Sequence, residues 1–398
     1  MPYLDHAATT PVRPAVRATL ARWLDDAEGV VGNGSSAHAA GQRARTAVEE
    51  ARERVAAALA CHPGDVVFTA GGTEADNLAV KGLAWAAARR RRAGHLVTTA
   101  VEHPAVADAA RWLAEHEGME LTVVPPRADG TVDPERVLAA VRDDTALVSV
   151  MAANNELGAV NDLVAIGTAL RERGVAFHTD AVQAFATRVL DLAELPVDAL
   201  ALSAHKFGGP QGVGVAVLRR GVPVEPLLHG GGQDRGVRSG TFAAALVAAC
   251  GVAVAEADAT RAATVARLAP LADRLANGLL ALDGVRRNGP TDPADRLVSH
   301  VHVSVDGVDG EALTFALDRA GLEVSAGAAC ASGATHVSPV LAACGIDGDA
   351  ALRLSLGWTT TEADVDEALA TVAAVVADLR ARGGGFVPPP ARAAGAAP

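Results

Sequence analysis

Short β-branched runs recur through the first half of this chain, separated by long alanine-rich stretches of helical periodicity. They are Val66-Val67-Phe68-Thr69, His95-Leu96-Val97-Thr98-Thr99, Leu121-Thr122-Val123-Val124, Leu147-Val148-Ser149-Val150, Ala176-Phe177-His178-Thr179 and Ala199-Leu200-Ala201-Leu202-Ser203. Strands of this length separated by helices predict an α/β fold, a mostly parallel sheet covered on both faces. In such sheets the chemistry gathers beyond the carboxyl ends of the strands. The polar clusters fall there: Gly71-Gly72-Thr73-Glu74, Glu102-His103, Asn154-Asn155-Glu156, Asp180 and His205-Lys206.

From about residue 256 the pattern changes to a long helix, then strands around Ser299 to Val305, a helix from Gly310 to Arg319 and a strand-like Leu352-Arg353-Leu354-Ser355. The reading is a large domain over 14–255 and a smaller α+β domain over 256–382, joined by the N-terminal segment 1–13. Residues 383–398, with Gly383-Gly384-Gly385 and Pro388-Pro389-Pro390, read as a disordered tail. No internal repeat is visible.

Half the 398 residues are apolar, enough for a large core, and the net charge of −12 argues against a nucleic-acid or anionic-membrane partner. No stretch is apolar and long enough to span a bilayer and no leader pattern opens the chain, so a cytoplasmic protein is expected. Cys61, Cys250, Cys330 and Cys344 form no CxxC pair and read as reduced thiols.

Only two lysines stand among 35 basic residues, and one is Lys206 in Ser203-Ala204-His205-Lys206-Phe207-Gly208-Gly209-Pro210. An amine can lose its proton, act as a nucleophile and form a Schiff base, which a guanidinium does not. The second lysine, Lys81, reads as a helix-surface cation. If Lys206 holds pyridoxal phosphate, the rest of the sequence supplies what that cofactor needs. Asp180 offers a carboxylate to keep the ring nitrogen protonated, and Gln183, one helical turn on, can reach the ring oxygen. Gly71-Gly72-Thr73-Glu74, opening a helix, offers N–H groups and a hydroxyl to the phosphate, with Ser203 and His205 as further donors. His103 can stack on the ring and exchange protons. Taken singly, Asp180 and Thr73 could be helix caps and His103 a core histidine. Together at successive strand ends they favour a cofactor site. Gly212-Val213-Gly214 lacks the third glycine of a dinucleotide fingerprint and precedes a strand-like run, so it is set aside.

Cys330 lies in Ser325-Ala326-Gly327-Ala328-Ala329-Cys330-Ala331-Ser332-Gly333-Ala334, a run of small residues suited to a mobile loop. The other three cysteines sit among apolar helical neighbours and read as buried hydrophobes. Arg353 offers the bidentate fork that an amino-acid carboxylate wants, although arginines in surface ion pairs are common.

These motifs, with Tyr3-Leu4-Asp5-His6-Ala7-Ala8-Thr9-Thr10-Pro11 at the start, Gly32-Asn33, Gly72-Thr73-Glu74-Ala75-Asp76-Asn77, Asp180-Ala181-Val182-Gln183 and His229-Gly230-Gly231-Gly232-Gln233-Asp234 through Thr241, resemble a cysteine desulfurase of the NifS/IscS type. That group lies among the fold-type-I pyridoxal-phosphate enzymes, and the resemblance runs to about residue 370. It implies a seven-stranded, mostly parallel sheet in the large domain, and conversion of L-cysteine to L-alanine with a persulfide on Cys330. It implies Lys206 for the covalent link and proton transfer, with His103 stacked on the ring and Asp180 at its nitrogen. Asn155 and Gln183 would lie near the ring oxygen, and Gly72, Thr73, Ser203 and His205 at the phosphate. Thr241 would reach the phosphate from a neighbouring subunit, so a homodimer is implied. Asn33, Asn155 and Arg353 are the implied substrate contacts. The sulfur acceptor would be an iron–sulfur scaffold, a tRNA-thiolating enzyme or a biosynthetic sulfur carrier. Rival readings in the same fold are a C–S or selenocysteine lyase, an aminotransferase, or a non-catalytic scaffold. Gly34 stands where the family usually has proline, which would loosen that segment.

Overall fold

The computed structural model describes residues 1–25, 32–90, 94–325, 338–346 and 350–383. Seven strands form one sheet: β1 (Val66–Thr69), β2 (His95–Thr99), β3 (Glu120–Val124), β4 (Thr145–Ser149), β5 (Ala176–Asp180), β6 (Ala199–Ser203) and β7 (Gly214–Leu218). Their order is β1-β7-β6-β5-β4-β2-β3. The pairs from β6 through β3 are parallel, and β7 runs antiparallel to both β6 and β1. Strands β2, β4, β6 and β7 are buried along their whole length, as strands of a sheet covered on both faces must be. Edge strand β3 is exposed at Glu120 and Val123.

Helices α1 (Pro14–Leu24), α2 (Ala39–Ala58), α3 (Gly72–Arg89), α4 (Pro104–Glu117), α5 (Pro134–Ala140) and α6 (Leu163–Arg173) cover this sheet. Core residues lie on both of its faces, such as Phe68, Val148 and Phe177 on one and Leu78, Leu96 and Leu147 on the other. A second core lies around a three-stranded antiparallel sheet of β8 (Val285–Asn288), β9 (His300–Val305) and β10 (Ala351–Ser355), in the order β10-β9-β8. Helices α8 (Gly310–Arg319), α9 (Pro339–Ala343) and α10 (Glu362–Ala381) follow, with α8 and α10 packed on the small core.

Helix α7 (Ala244–Leu280) joins the two cores: Val247 to Ala257 pack on the large one and Leu268 to Leu279 on the small one. The sequence reading started this helix near residue 256, where composition shifts. It begins twelve residues earlier because the preceding alanine-rich stretch lies against α2. There Gly251 packs so close that a Cβ would come within 2.6 Å of the Ala51 Cα. Strand β8 went unread because Val285-Arg286-Arg287-Asn288 is mostly polar and sits at the small sheet's edge. The expected tail beyond residue 383 lies outside the described residues. Among the described residues no helix is long and apolar enough to cross a membrane.

Candidate active site

Strand β5 ends on Asp180, 4 % exposed, whose Oδ1 accepts the Val182 N–H at 2.9 Å. Burial raises its carboxyl above the usual range, while the nearby His103 and Lys206 pull it back. Two more buried carboxyls crowd this end. Asp76 on α3 lies 3.5 Å from His178 Nε2 and is raised well above the ordinary value by burial and by Asp180 and Glu102. Glu102, after β2, accepts from Thr99 Oγ1 at 2.7 Å and Met151 N–H at 2.9 Å, yet burial pushes it up to about 8. His178 is pushed down to about 3 by burial alone and bonds Ser149 Oγ through Nδ1 at 2.9 Å, so it is neutral.

Lys206 lies on the turn between β6 and β7. The turn needs Gly208 at φ +91°, with its α-carbon against the Arg13 side chain, where a Cβ would come within 2.6 Å of Arg13 Cγ. Arg13 Nε also donates to the Phe207 carbonyl at 3.0 Å, so the N-terminal segment braces the turn from outside. Lys206 Nζ donates to the carbonyls of Ala7 at 2.6 Å and Ala8 at 2.8 Å, and Gln183 Nε2 shares the Ala7 carbonyl at 2.9 Å. His103 is half-buried and caps α4, its Nδ1 accepting the Ala105 N–H at 3.1 Å. That bond selects the tautomer protonated at Nε2.

Helix α3 starts at Gly72 behind Gly71, with no side chain capping its first N–H groups. A Cβ at Gly71 would meet nothing within 4 Å, whereas one at Gly72 would lie 3.2 Å from Ser203 Cβ. The helix start, exposed Thr73 and the Ser203 side chain therefore meet at one open, hydrogen-bond-donating place. His205 Nδ1 faces Thr9 Oγ1 at 3.1 Å, and burial, with Lys206, pushes the ring down to about 4. An uncapped eighteen-residue helix with a hydroxyl beside it suits a phosphate. The over-acidic pocket at Asp180 suits a protonated ring nitrogen, and Lys206 lies near enough to Asp180 to lower its carboxyl. The residues present thus fit pyridoxal phosphate.

Arg353 on β10 is 2 % exposed; its Nη2 donates to Asp5 Oδ1 at 2.7 Å and its Nη1 to the Asn155 carbonyl at 2.9 Å. The backbone of Arg353 exchanges hydrogen bonds with Ser325, at 2.8 and 3.2 Å. Glu156, pushed up to about 6 by burial, accepts from Ser338 Oγ at 2.8 Å. Cys330 lies outside the described residues, between Ser325 and Ser338. The described cysteines are poor thiolates: burial pushes Cys61 and Cys344 up to about 11 and Cys250 to about 12.

Two expected site residues are not drawn in. Asn33 is exposed and its Oδ1 accepts the Ser35 N–H at 2.9 Å, in a turn where Gly34 has room for a side chain. Thr241 is exposed on the segment that the Arg238–Glu74 ion pair, 2.8 Å, ties to the start of α3. Lys81 caps an aromatic instead of facing plain solvent, its Nζ 4.4 Å from the centre of the Trp112 ring. Sequence reasoning gave no role to Asp5, Asp76, Glu102 or Ser338. Asp76 had a legible signal, an acid on the apolar stripe of α3 between Gly72 and Val80.

The class-V aminotransferase family matches residues 2–368. An IscS-like cysteine desulfurase of Mycobacterium tuberculosis (strain ATCC 25618 / H37Rv) is 46 % identical, covering 96 % of this chain and 97 % of that protein. Cysteine desulfurase IscS of Methanosarcina thermophila is 39 % identical over 95 % of this chain and 92 % of its own. The solved structure of a NifS-like protein superposes with a TM-score of 0.87 at 32 % identity, covering 95 % of this chain and all of the other.

Proposed function

The chain belongs to the class-V aminotransferase family and is a pyridoxal-phosphate-dependent cysteine desulfurase, and from that premise we propose which of its residues do the work. When bound, the cofactor supplies an aldehyde for an amino group and a ring that absorbs electrons released at the substrate Cα. Asp180 would hold a proton at the ring nitrogen, and His103, whose Nδ1 accepts the Ala105 N–H, would cover the ring and carry a proton at Nε2. Lys206 would hold the cofactor covalently, and its amine would serve as the base for the substrate Cα proton. Gly72, Thr73, Ser203 and His205 would hold the phosphate, Gln183 and Asn155 would lie at the ring oxygen, and Arg353 would take the substrate carboxylate with Asn155 and Asn33.

Cys330 is the sulfur carrier in this reading. Its thiolate attacks the sulfur of L-cysteine, the substrate C–S bond breaks with its electron pair leaving on carbon, and protonation there yields L-alanine. The sulfur stays on Cys330 as a persulfide, to be handed to an acceptor. The observation that carries this is the placement of the described residues on either side of Cys330: Ser325 is bonded to the backbone of Arg353, and Ser338 to Glu156, next to Asn155. Both flanks thus lie at the elements that carry the proposed substrate contacts.

The acceptor is proposed as an iron–sulfur scaffold, a tRNA-thiolating enzyme or a sulfur carrier, the enzyme as a cytoplasmic homodimer with Thr241 serving its partner's phosphate site. The division into 14–255 and 256–382 is proposed on the same footing, supported by the two cores and crossed by α7. Cys330→Ala tests the central step. Alanine formation from L-cysteine should fall at least a hundredfold, with no ³⁵S retained on the protein. Release of sulfide at the wild-type rate without a thiol reductant would exclude the persulfide step. In parallel, borohydride should fix the cofactor to Lys206 and to no other residue.

A further inference from the structure

The opening segment carries one acid with no part in the scheme above. Asp5 pairs with Arg353 across 348 positions of sequence, its Oδ1 2.7 Å from Nη2. The backbone fixes both partners. Asp5 forms a parallel bridge with Ser355 on β10, Ser355 N–H donates to the Leu4 carbonyl at 2.7 Å, and Arg353 is bridged to Ser325 on its other side. With Nη1 on the Asn155 carbonyl and Nη2 on Asp5, the guanidinium is held at two corners and its plane has no freedom to turn. The third nitrogen, Nε, is buried and has no hydrogen-bond partner among the described residues. A planar fork held on two nitrogens presents its remaining donors in a fixed direction, which is what recognition of a carboxylate requires. A buried guanidinium stripped of the carboxylate it is paired with would instead turn toward other acceptors or water.

The other ionisable groups facing Arg353 are not substitutes for Asp5. His300 and His302 on β9 are neutral, and Glu156, although charged above about pH 6, makes no ion pair with the guanidinium and takes its hydrogen bond from Ser338. Tyr3, pushed up to about 12 by burial and by Asp5, is uncharged.

We propose that Asp5 is a positioning residue for the desulfurase: acting through Arg353, it sets the affinity of the site for the α-carboxylate of the substrate. This rests on the assignment of Arg353 to that carboxylate. Asp5→Asn keeps the shape and removes the charge. It should raise KM for L-cysteine about tenfold while kcat stays within about threefold, a loss of binding equal to roughly 1.4 kcal/mol. In an Arg353→Lys background the same substitution should add less than about twofold, because the two act as one unit.

Calorimetric titration of the holoenzyme with L-alanine, which has the carboxylate and no sulfur, should show the same tenfold weakening without any turnover. Asp5→Glu, which keeps the charge at a different reach, should recover part of the affinity, and it carries the test alone if Asp5→Asn does not fold. An unchanged or lower KM in Asp5→Asn overturns the proposal. So does an equal loss in the wild-type and Arg353→Lys backgrounds, which would make Asp5 a general brace. If the wild-type enzyme binds L-alanine through Asp5 yet does not desulfurate cysteine, the failure belongs to the activity and not to this contact.

Discussion

The two ends of the site are built from buried groups of opposite kind. At the carboxyl ends of the large sheet, Asp76, Glu102 and Asp180 are all pushed up by burial, with Glu102 reaching about 8. Where the small sheet meets the N-terminal segment, three imidazoles are pushed down. His6 falls to about 4, and His300 and His302 to about 3, through burial and, for the β9 pair, through Arg353 next. The first end is over-supplied with acid and is relieved by a cation. The second holds a buried guanidinium, Arg353, between neutral imidazoles and the Asp5 carboxylate, and its remaining donors are complemented by an anion. A protonated ring nitrogen at one end and an amino-acid carboxylate at the other match this polarity, so the field of the pocket orients what it binds before any contact is perfected.

The largest expected effect comes from erasing the acid end at its functional member. Asp180→Asn keeps the hydrogen bond from Val182 N–H and removes the negative charge that holds the ring proton. Steady-state rates of alanine formation should fall about 10²–10⁴-fold in kcat, the range of a lost acid–base partner, with a much smaller change in KM. Loss in KM alone would mean that the two ends are not specialised as described.

The comparison is sharpened by pH, because the two ends must fail in opposite directions. An acid whose pKa is raised on folding keeps a proton that the unfolded chain has released. Stability therefore falls as pH rises from the ordinary carboxylate value, about 4.3, to the folded value near 8 for Glu102. Glu102→Gln should gain stability over wild type across that window and level off above it, by on the order of a few kcal/mol in denaturant melts. The imidazoles act the other way. Their folded values lie below the ordinary value of about 6.5, so stability falls as pH drops from there toward 4 and 3. Hydrogen exchange should accordingly show β9 and β10 opening first at about pH 5, and α3, which carries Asp76, first above about pH 8; β5 carries both Asp180 and the low-pKa His178 and does not discriminate. Opening of both regions at the same pH would break the comparison.

The two ends were also unequally legible in the sequence. The large-sheet end follows a rule that depends on local order alone: a short apolar strand, then a polar residue just past its carboxyl end. The readings of His103, Asp180 and Lys206 as site residues rest on that rule, and those of Gly72 and Thr73 on the turn that opens α3. The α/β class follows from the same alternation of strands and helices. The small-sheet end depends on contacts that no local pattern encodes. Asp5 reaches Arg353 through a bridge to β10, and Ser338 reaches Glu156 from 182 positions away. Arg353 itself was found only through the resemblance and its fork, since a chain with many arginines gives no single one priority. Where helix α7 begins was misjudged for a related reason, because its start is set by packing against α2 and not by composition.

The smallest effect expected lies at the fastening of the N-terminal segment. Trp358, just beyond β10, donates from Nε1 to the Pro11 carbonyl at 2.9 Å, and the Arg13 guanidinium lies over its ring, 5.4 Å from the centre. Phenylalanine there keeps a ring for Arg13 but loses the indole N–H. The cost should be that of one net hydrogen bond, about 1 kcal/mol, or a fall of roughly 1–3 °C in Tm for a chain of this size. Its distribution matters more than its size. Loosening the segment relaxes the hold of Asp5 on Arg353, so KM for L-cysteine should rise slightly. The visible absorbance of the bound cofactor, governed by Asp180 at the other end, should not move. A spectral shift without a change in KM would show that the segment acts through its Ala7 and Ala8 carbonyls on Lys206 and not through Arg353.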